Sequence, residues 1–362
     1  MKILHVITSL YTGGAEKLVV DLVPRLLAMG HEVGVAVFNA ETTPLMKRLE
    51  CECPECRIYK LGKSFYNPLY IYLLIPIMCR YDVIHTHNSS PQLYAAIANV
   101  FCRKKLITTE HNTSNRKRGN RLLAVIDRWM YGRYHQIICI SCQAEQNLRD
   151  YLSSRQQVLK RICTIYNGVD VEAIHKASPL EKSAPQKFLV VMVAAYRPQK
   201  DHVTLIRAMK RLPTEKFEAW LVGDGECQQD IEQFIRQQGM DTQVKMLGMR
   251  TDVPRILKTA DVIVMSTHYE GMSLSNIEGM AAGKPFVASN VEGIREVTEG
   301  FGVLFSHGND ASLAEILQRL HDDNKFYLQV AARCYERAKQ FDIMKMVDGY
   351  NNVYLKLLSN EA

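Results

Sequence analysis

Short runs of valine, isoleucine and leucine recur along this chain. Each is followed by a turn and then by a stretch with helical periodicity, and no other feature restricts the possible folds so strongly. "KILHVIT" leads into "AEKLVVDLVPRLLAMG", which closes on Gly30; "EVGVAVF", "YDVIHTH", "KLITTEH" and "QIICIS" continue the pattern. A strand buried on both faces reads as an unbroken apolar run, and a helix must carry the chain back to its parallel neighbour. The rhythm breaks over "IYNGVDVEAIHKASPLEKSAPQK", a polar stretch containing Pro179 and Pro185. It restarts with "KFLVVMVAAY", "EAWLVGDG", "QVKMLG", "DVIVMST" and "PFVAS". The sequence therefore predicts an α/β protein of two Rossmann-like, doubly wound parallel-sheet domains, over 1–175 and 186–342, with no clear internal repeat. Two domains also suit a length of 362 residues.

Several classes are disfavoured. No apolar run approaches the ~18–20 residues needed to cross a bilayer. The start, "MKILHVITSLYTGGAEK", reads as a first core strand rather than a signal peptide, since His5 interrupts a short apolar run, and a cytoplasmic location is expected. Ten cysteines include Cys51, Cys53 and Cys56 in "CECPEC" and Cys139 and Cys142 in "CISC". This is poor spacing for a four-ligand zinc site, and no metal site is expected.

The formal net charge is +7. Arg103, Lys104, Lys105, Arg116, Lys117, Arg118, Arg121, Arg128 and Arg133 crowd one part of the first domain. Such a cluster suits either an anionic partner or a merely solvated surface. "NPLYIYLLIPIMCRY" (67–81), interrupted by Pro76, reads either as a core helix or as an interfacial contact.

In open parallel sheets ligands bind beyond the carboxyl ends of the strands, so residues just after strands are the ones to read. "SLYTGGAEK" places Gly13 and Gly14 between a strand and a helix, where backbone amides can approach an anion. It is neither a GxGxxG fingerprint nor a Walker A loop. Arg197 and Lys200 in "AAYRPQKDH" offer two cations for a diphosphate. His87, His111 and Gly223-Asp224-Gly225 also follow strands. In "YEGMSLSNIEGMAAGKP", Glu270 lies in the loop after a strand and Glu278 on the helix beyond it. Ser273 or Ser275 is positioned to cap that helix, and the amides of Met272, Ser273 and Leu274 form a candidate anion site. Carboxylates beside an anion site suit hydroxyls, so a nucleotide sugar fits, one glutamate reading the sugar and the other the ribose.

"EGMSLSNIE" with "GMAAGKPFVAS" resembles the Glu-x7-Glu motif of the retaining family 4 glycosyltransferases of the GT-B fold. "TGGAEK", "DVIHTHN", "TTEHN", "IICIS", "NGVD", "RPQKDH", "LVGDGE", "LGMRTDV" and "EGIREV" follow in that family's order over nearly the whole chain. The resemblance implies two domains facing across a cleft. Glu270 is implied to contact donor-sugar hydroxyls, Glu278 the donor ribose, Lys200 the diphosphate and His111 the reacting sugar. Gly14 lies in the loop near diphosphate and acceptor, and residues near Met249 and Arg250 line the base pocket. The family arginine has no counterpart at Ala195; Arg197, two further on, would stay on the same side of an extended backbone. A C-terminal helix over about 343–360 is expected to pack back on the first domain.

The expected activity is transfer of a hexose from a nucleotide-diphosphate sugar to an acceptor hydroxyl with retention. A UDP-sugar is favoured over GDP-mannose. With no Asp-x-Asp at a strand end, Lys200, Arg197 and the amides after Glu270 oppose the leaving-group charge in place of a metal. The family's front-face mechanism needs no side-chain base and no cofactor. By family analogy the acceptor is a lipid-linked saccharide in surface-polysaccharide assembly, reached by reversible contact with the anionic inner face of the cell membrane. Tyr66, Tyr70 and Tyr72 add apolar contact there, and no nucleic acid is involved. Rival readings are a hydrolase, a sugar-nucleotide epimerase, and a non-enzymatic nucleotide-sugar or polyanion-binding module.

Overall fold

The computed structural model describes residues 1–11, 13–111, 121–182 and 184–359, with the side chains of Arg121 and Leu122 outside that description. Arg116, Lys117 and Arg118 of the basic cluster therefore lie outside the described residues. The chain divides into two compact units, one of Met1–Asn167 with the C-terminal residues from Met344, the other Gly168–Ile343.

The first unit holds a parallel sheet of seven strands: β1 (Lys2–Ser9), β2 (Glu32–Asn39), β3 (Arg57–Gly62), β4 (Val83–His87), β5 (Lys105–Glu110), β6 (Gln136–Cys139) and β7 (Ile162–Thr164). Their order is β3-β2-β1-β4-β5-β6-β7, so the direction of winding reverses between β1 and β4. Ile3, Leu4, Val6 and Ile7 of β1 are fully buried, each side chain contributing roughly 1.5–3 kcal/mol relative to exposure. The same strands also bury His5, His85, Thr86 and His87, all with zero exposure. Buried polar groups of this kind need partners: His5 and His87 bond each other, His85 bonds Tyr354 and Thr109, and Thr86 bonds Tyr134.

The second unit holds six parallel strands: β8 (Phe188–Val193), β9 (Phe217–Val222), β10 (Val244–Met246), β11 (Val262–Met265), β12 (Phe286–Ser289) and β13 (Val303–Phe305). Their order is β10-β9-β8-β11-β12-β13, with the reversal between β8 and β11. This is the strand order of dinucleotide-binding folds, in which the ligand sits beyond the strand ends at the reversal.

Three strands escape the sequence pattern: β3, β7 and β13. All three are sheet edges. β3, "RIYKLG", is only partly buried along its length, and the other two have three residues each. An edge strand packs on fewer neighbours and does not need an unbroken apolar run.

The division between the units also differs from the sequence-based one. Residues 168–175 belong to the second unit, where Val169 pairs with Asp342 and the helix Val171–His175 packs. The helix Ile343–Ser359 returns the chain to the first unit. There Tyr354 bonds His85 Nδ1 at 2.7 Å and Tyr350 bonds Thr109 Oγ1 at 3.2 Å.

Of the two readings of 67–81, the helix Tyr70–Met78 is anchored in the core by Tyr70, Leu74 and Met78. Tyr70 is removed from the expected surface contact. Its ring packs on Phe38 and its hydroxyl accepts the Ser64 amide at 3.2 Å. Tyr66 and Tyr72, by contrast, are largely exposed, beside exposed Leu69 and Leu73.

Candidate active site

In the second unit the loops after β8 and β11 are stitched together. The Asp201 amide donates to Ser266 O (3.1 Å) and the His268 amide to Gln199 O (2.9 Å), while Gln199 Nε2 donates to Tyr269 O (2.7 Å). Asp201 accepts from the Thr204 amide at 3.1 Å and so caps the helix His202–Lys210. These bonds bring Lys200, after β8, against Glu270, after β11. The Lys200 ammonium donates to Glu270 Oε1, which also accepts from Thr267 Oγ1 at 3.2 Å. The two side chains are 14% and 8% exposed, so the pair is nearly dry. The pair stands at the strand-order reversal, where ligands bind in this kind of sheet.

The walls are equally local. The Tyr196 amide donates to Asp224 O, and Cys227 N to Tyr196 O, lacing the end of β8 to the end of β9. Gly223 and Gly225 have positive φ (155° and 158°), and a Cβ at either would strike the carbonyls of Ala194 or Tyr196. Only glycine permits that approach. Gly293, in the helix Glu292–Thr298, backs the other side: a Cβ there would collide with the carbonyl oxygens of Glu270 and Gly271. Sequence reading assigned Gly293 no role. Its signal, a glycine at the start of a helix near a motif, is too common to stand out.

The expected residues fall as follows. Glu278 is the fifth residue of the helix Leu274–Ala281. Ser273 occupies the N-cap position, but its hydroxyl makes no capping bond, so the expected serine cap is absent. Met272 and Leu274 are buried, and Ser273 between them is half-buried. Arg197 is exposed, and the backbone there is not extended. Its amide donates to Ala195 O at 2.8 Å and Lys200 N donates to Arg197 O, a tight turn that removes the same-side argument. Met249 is exposed, and Arg250 makes a two-point bond to Asp252 at 2.8 and 2.7 Å.

In the first unit Gly13 precedes the helix Gly14–Ala28 in an extended conformation, and among the described residues, apart from its chain neighbours and its own helix backbone, nothing stands within 4 Å of where a Gly14 Cβ would be. His111 follows β5. Its Nε2 meets His87 Nδ1 at 3.1 Å, and His87 Nε2 meets His5 Nδ1 at 3.1 Å. Burial pushes the His5 imidazole down to about 3 and His111 to about 4, and holds His85 and His87 well below the usual histidine range. Sequence reading took His5 for an interruption of an apolar run.

Among the described residues, two groups could gather a metal ion, His5–His85–His87 and Asp201–His268–His307. In the first, every ring nitrogen but one already has a hydrogen-bond partner. In the second, His268 Nδ1 meets His307 Nε2 at 2.6 Å on an exposed surface. No cysteine enters either group, and burial raises the Cys56, Cys102 and Cys334 thiols to about 12, far from reactive thiolates.

Comparison with known proteins divides the chain a few residues further on than the two units do. Residues 12–173 match the family described as Glycosyltransferase Family 4, and residues 174–341 match Glycosyl transferases group 1. Over 358 residues the chain is 26% identical to the N-acetylgalactosamine-N,N'-diacetylbacillosaminyl-diphospho-undecaprenol 4-alpha-N-acetylgalactosaminyltransferase of Campylobacter jejuni, covering 94% of this chain and 95% of that protein. Over 335 residues it is 26% identical to the UDP-Gal:alpha-D-GlcNAc-diphosphoundecaprenol alpha-1,3-galactosyltransferase of Escherichia coli, covering 84% and 83%. The fold matches HepE of Anabaena, solved with UDP (TM-score 0.85, 22% identity, 98% of this chain and 100% of that one). It also matches sucrose-phosphate synthase of Thermosynechococcus elongatus (TM-score 0.76, 19% identity, 99% and 100%). Two parallel-sheet α/β units of this kind are the GT-B fold. The chain belongs to the family 4 type of these enzymes.

Proposed function

We propose that this protein transfers a hexose, with retention, from a UDP-sugar to a hydroxyl of a lipid-linked saccharide. The observation that carries the reading is the Lys200–Glu270 pair at the reversal between β8 and β11. It sets a cation for a diphosphate beside a carboxylate for sugar hydroxyls. Binding of the donor replaces one partner of each: the diphosphate takes the Lys200 ammonium, and the sugar hydroxyls take the Glu270 carboxylate. Glu278 accepts the ribose hydroxyls, and Met249 and Arg250 border the base. The amides of Met272, Ser273 and Leu274, with Arg197, add to Lys200 against the charge on the leaving group.

In the reaction the bond from the anomeric carbon to the diphosphate oxygen breaks, and its electron pair leaves with the nucleoside diphosphate. The acceptor oxygen bonds to that carbon from the same face, and its proton passes to the leaving phosphate oxygen. No side-chain base and no metal ion are required. His111, Gly13 and Gly14 serve the sugar and acceptor in this reading.

The names of the relatives from Campylobacter and Escherichia, both acting on diphospho-undecaprenol-linked sugars, support the acceptor class, and the latter's UDP-Gal and the UDP bound to HepE support the base. No helix among the described residues is long and apolar enough to cross a membrane. We place the enzyme in reversible contact with the anionic cytoplasmic surface through the first unit. The helix Arg121–Gly132 supports this, since Leu123, Val125, Ile126 and Trp129 are exposed along it and exposed Arg133 follows it. Charge alone had drawn attention to that segment.

The test is an assay of UDP- and GDP-sugars against diphospho-undecaprenol saccharides, with the anomeric configuration of the product read by NMR. A retained linkage from a UDP-sugar supports the reading. Release of free sugar without transfer overturns it in favour of hydrolysis.

A further inference from the structure

A line of histidines runs from buried His5 and His87 in the first sheet to half-buried His111. His5 Nδ1 meets His87 Nε2, and His87 Nδ1 meets His111 Nε2, each at 3.1 Å. His5 Nε2, at the closed end, is fully buried and has no partner among the described residues. The neighbouring His85 does not tap this line, because Tyr354 Oη and Thr109 Oγ1 occupy its two nitrogens at 2.7 and 2.8 Å.

A neutral imidazole carries one N–H and one bare nitrogen. If His87 donates through Nδ1 it must accept at Nε2, so the two hydrogen bonds are forced to point the same way. Only two arrangements remain. In one, protons run inward and the surplus N–H is stranded on His5 Nε2 with no acceptor. In the other, His5 Nδ1–H donates to His87, His87 Nδ1–H donates to His111, and His5 Nε2 is left bare. Orphaned buried N–H groups are rarer than under-satisfied acceptors, which selects the second. The open end can be satisfied either way, so the closed end decides. Burial keeps His5, His87 and His111 uncharged near neutral pH, as a directional chain requires.

We propose that His5, His87 and His111 form a one-way hydrogen-bond chain that fixes His111 as the Nδ1–H tautomer, a positioned donor to an oxygen of the bound sugar. His5 and His87 are positioning residues in this arrangement. The identity of the acceptor oxygen rests on the function proposed above; the tautomer does not.

The full chain, labelled with ¹⁵N in histidine, is examined near neutral pH by multiple-bond ¹H–¹⁵N NMR without substrate. The expected result is protonation at Nδ1 in His5, His87 and His111. His111 protonated at Nε2 overturns the proposal, and so does loss of both ring protons of His5 and His87 to a metal, reversed by chelation. His5→Asn keeps a donor at the Nδ1 position and leaves His111 unchanged. His5→Leu removes it and populates both His111 tautomers; an unchanged His111 in that folded variant overturns the chain. If His5→Leu does not fold, the wild-type assignment alone decides. A UDP-sugar should then shift the His111 Nδ1 signal at least threefold more than UDP does. Binding of both with equal His111 shifts overturns the donor role, whereas no binding of either counts against the function instead.

Discussion

Lys200 and Glu270 lie 70 residues apart in sequence and meet as a nearly dry ion pair at the one place in the second sheet where the winding direction reverses. Each is the other's partner until a ligand supplies a better one. Two charges with exposures of 14% and 8% are held at a cost in desolvation that a mere surface pair does not incur. In the function proposed above, diphosphate taking Lys200 would release the Glu270 carboxylate.

Lys200→Ala should therefore lower turnover by roughly two orders of magnitude or more, as loss of a stabiliser of developing charge does. It should also destabilise the fold by about 3–5 kcal/mol, because Glu270 is left buried and unpaired. Lys200→Met with Glu270→Gln should recover much of that stability and none of the activity. Near-normal turnover in a folded Lys200→Ala variant would remove this lysine from the mechanism.

The two glutamates should separate in calorimetry. Glu278→Ala weakens binding of the nucleoside diphosphate itself. Glu270→Gln leaves that affinity equal or higher, since it no longer competes for Lys200, while affinity for the nucleotide sugar falls. Equal losses of nucleotide affinity in both variants contradict this division.

Gly293→Ala should act at a distance. Its Cβ would displace the carbonyls of Glu270 and Gly271. A shift of about 1 Å in a catalytic loop can cost roughly 10²-fold in rate. Turnover should drop on that scale while circular dichroism stays unchanged; full activity would show that the loop relaxes freely.

Acid should weaken the protein well above the carboxylate range. His5, His111 and His202 have folded values near 3, 4 and 4, lowered chiefly by burial from an ordinary 6.5. The unfolded chain thus takes up protons that the folded one refuses. Their stabilising contribution is complete above about pH 6.5 and is lost as pH falls toward 4, at about 1.4 kcal/mol per pH unit for each group. The urea midpoint should drop from about pH 7 to about pH 5, less steeply in His5→Asn. A flat profile across that interval would show that these rings are not held neutral by the fold.

Flotation with vesicles tests the membrane contact. The protein should rise with anionic vesicles at low salt and release at high salt, because exposed charges are screened. Ile126→Ser with Trp129→Ser should weaken flotation, and so should neutralising Arg116, Lys117 and Arg118. Nucleotide-sugar binding should stay unchanged in both. Equal behaviour on neutral and anionic vesicles would rule out electrostatic docking.

The interior strands were legible in the sequence because burial on both faces demands unbroken apolar runs, as in "KFLVVMV" and "DVIVM". β3, β7 and β13 were not, because a sheet edge makes no such demand. Glu270 and Lys200 were legible as residues following strands. Their pairing was not, since it depends on which strands are neighbours. His5 and Gly293 were invisible for the same reason: each acts through a partner far along the chain, His87 in one case and the carbonyls of Glu270 and Gly271 in the other. Tyr70 was misplaced because, in a helix without charges, buried and exposed aromatic residues leave the same mark.

The most direct test is a crystal structure with an intact UDP-sugar bound. Diphosphate oxygens are expected on the Lys200 ammonium, a sugar hydroxyl on Glu270 with its bond to Lys200 broken or shared, and ribose on Glu278. A UDP-sugar bound elsewhere, with the Lys200–Glu270 pair intact and untouched, would contradict it.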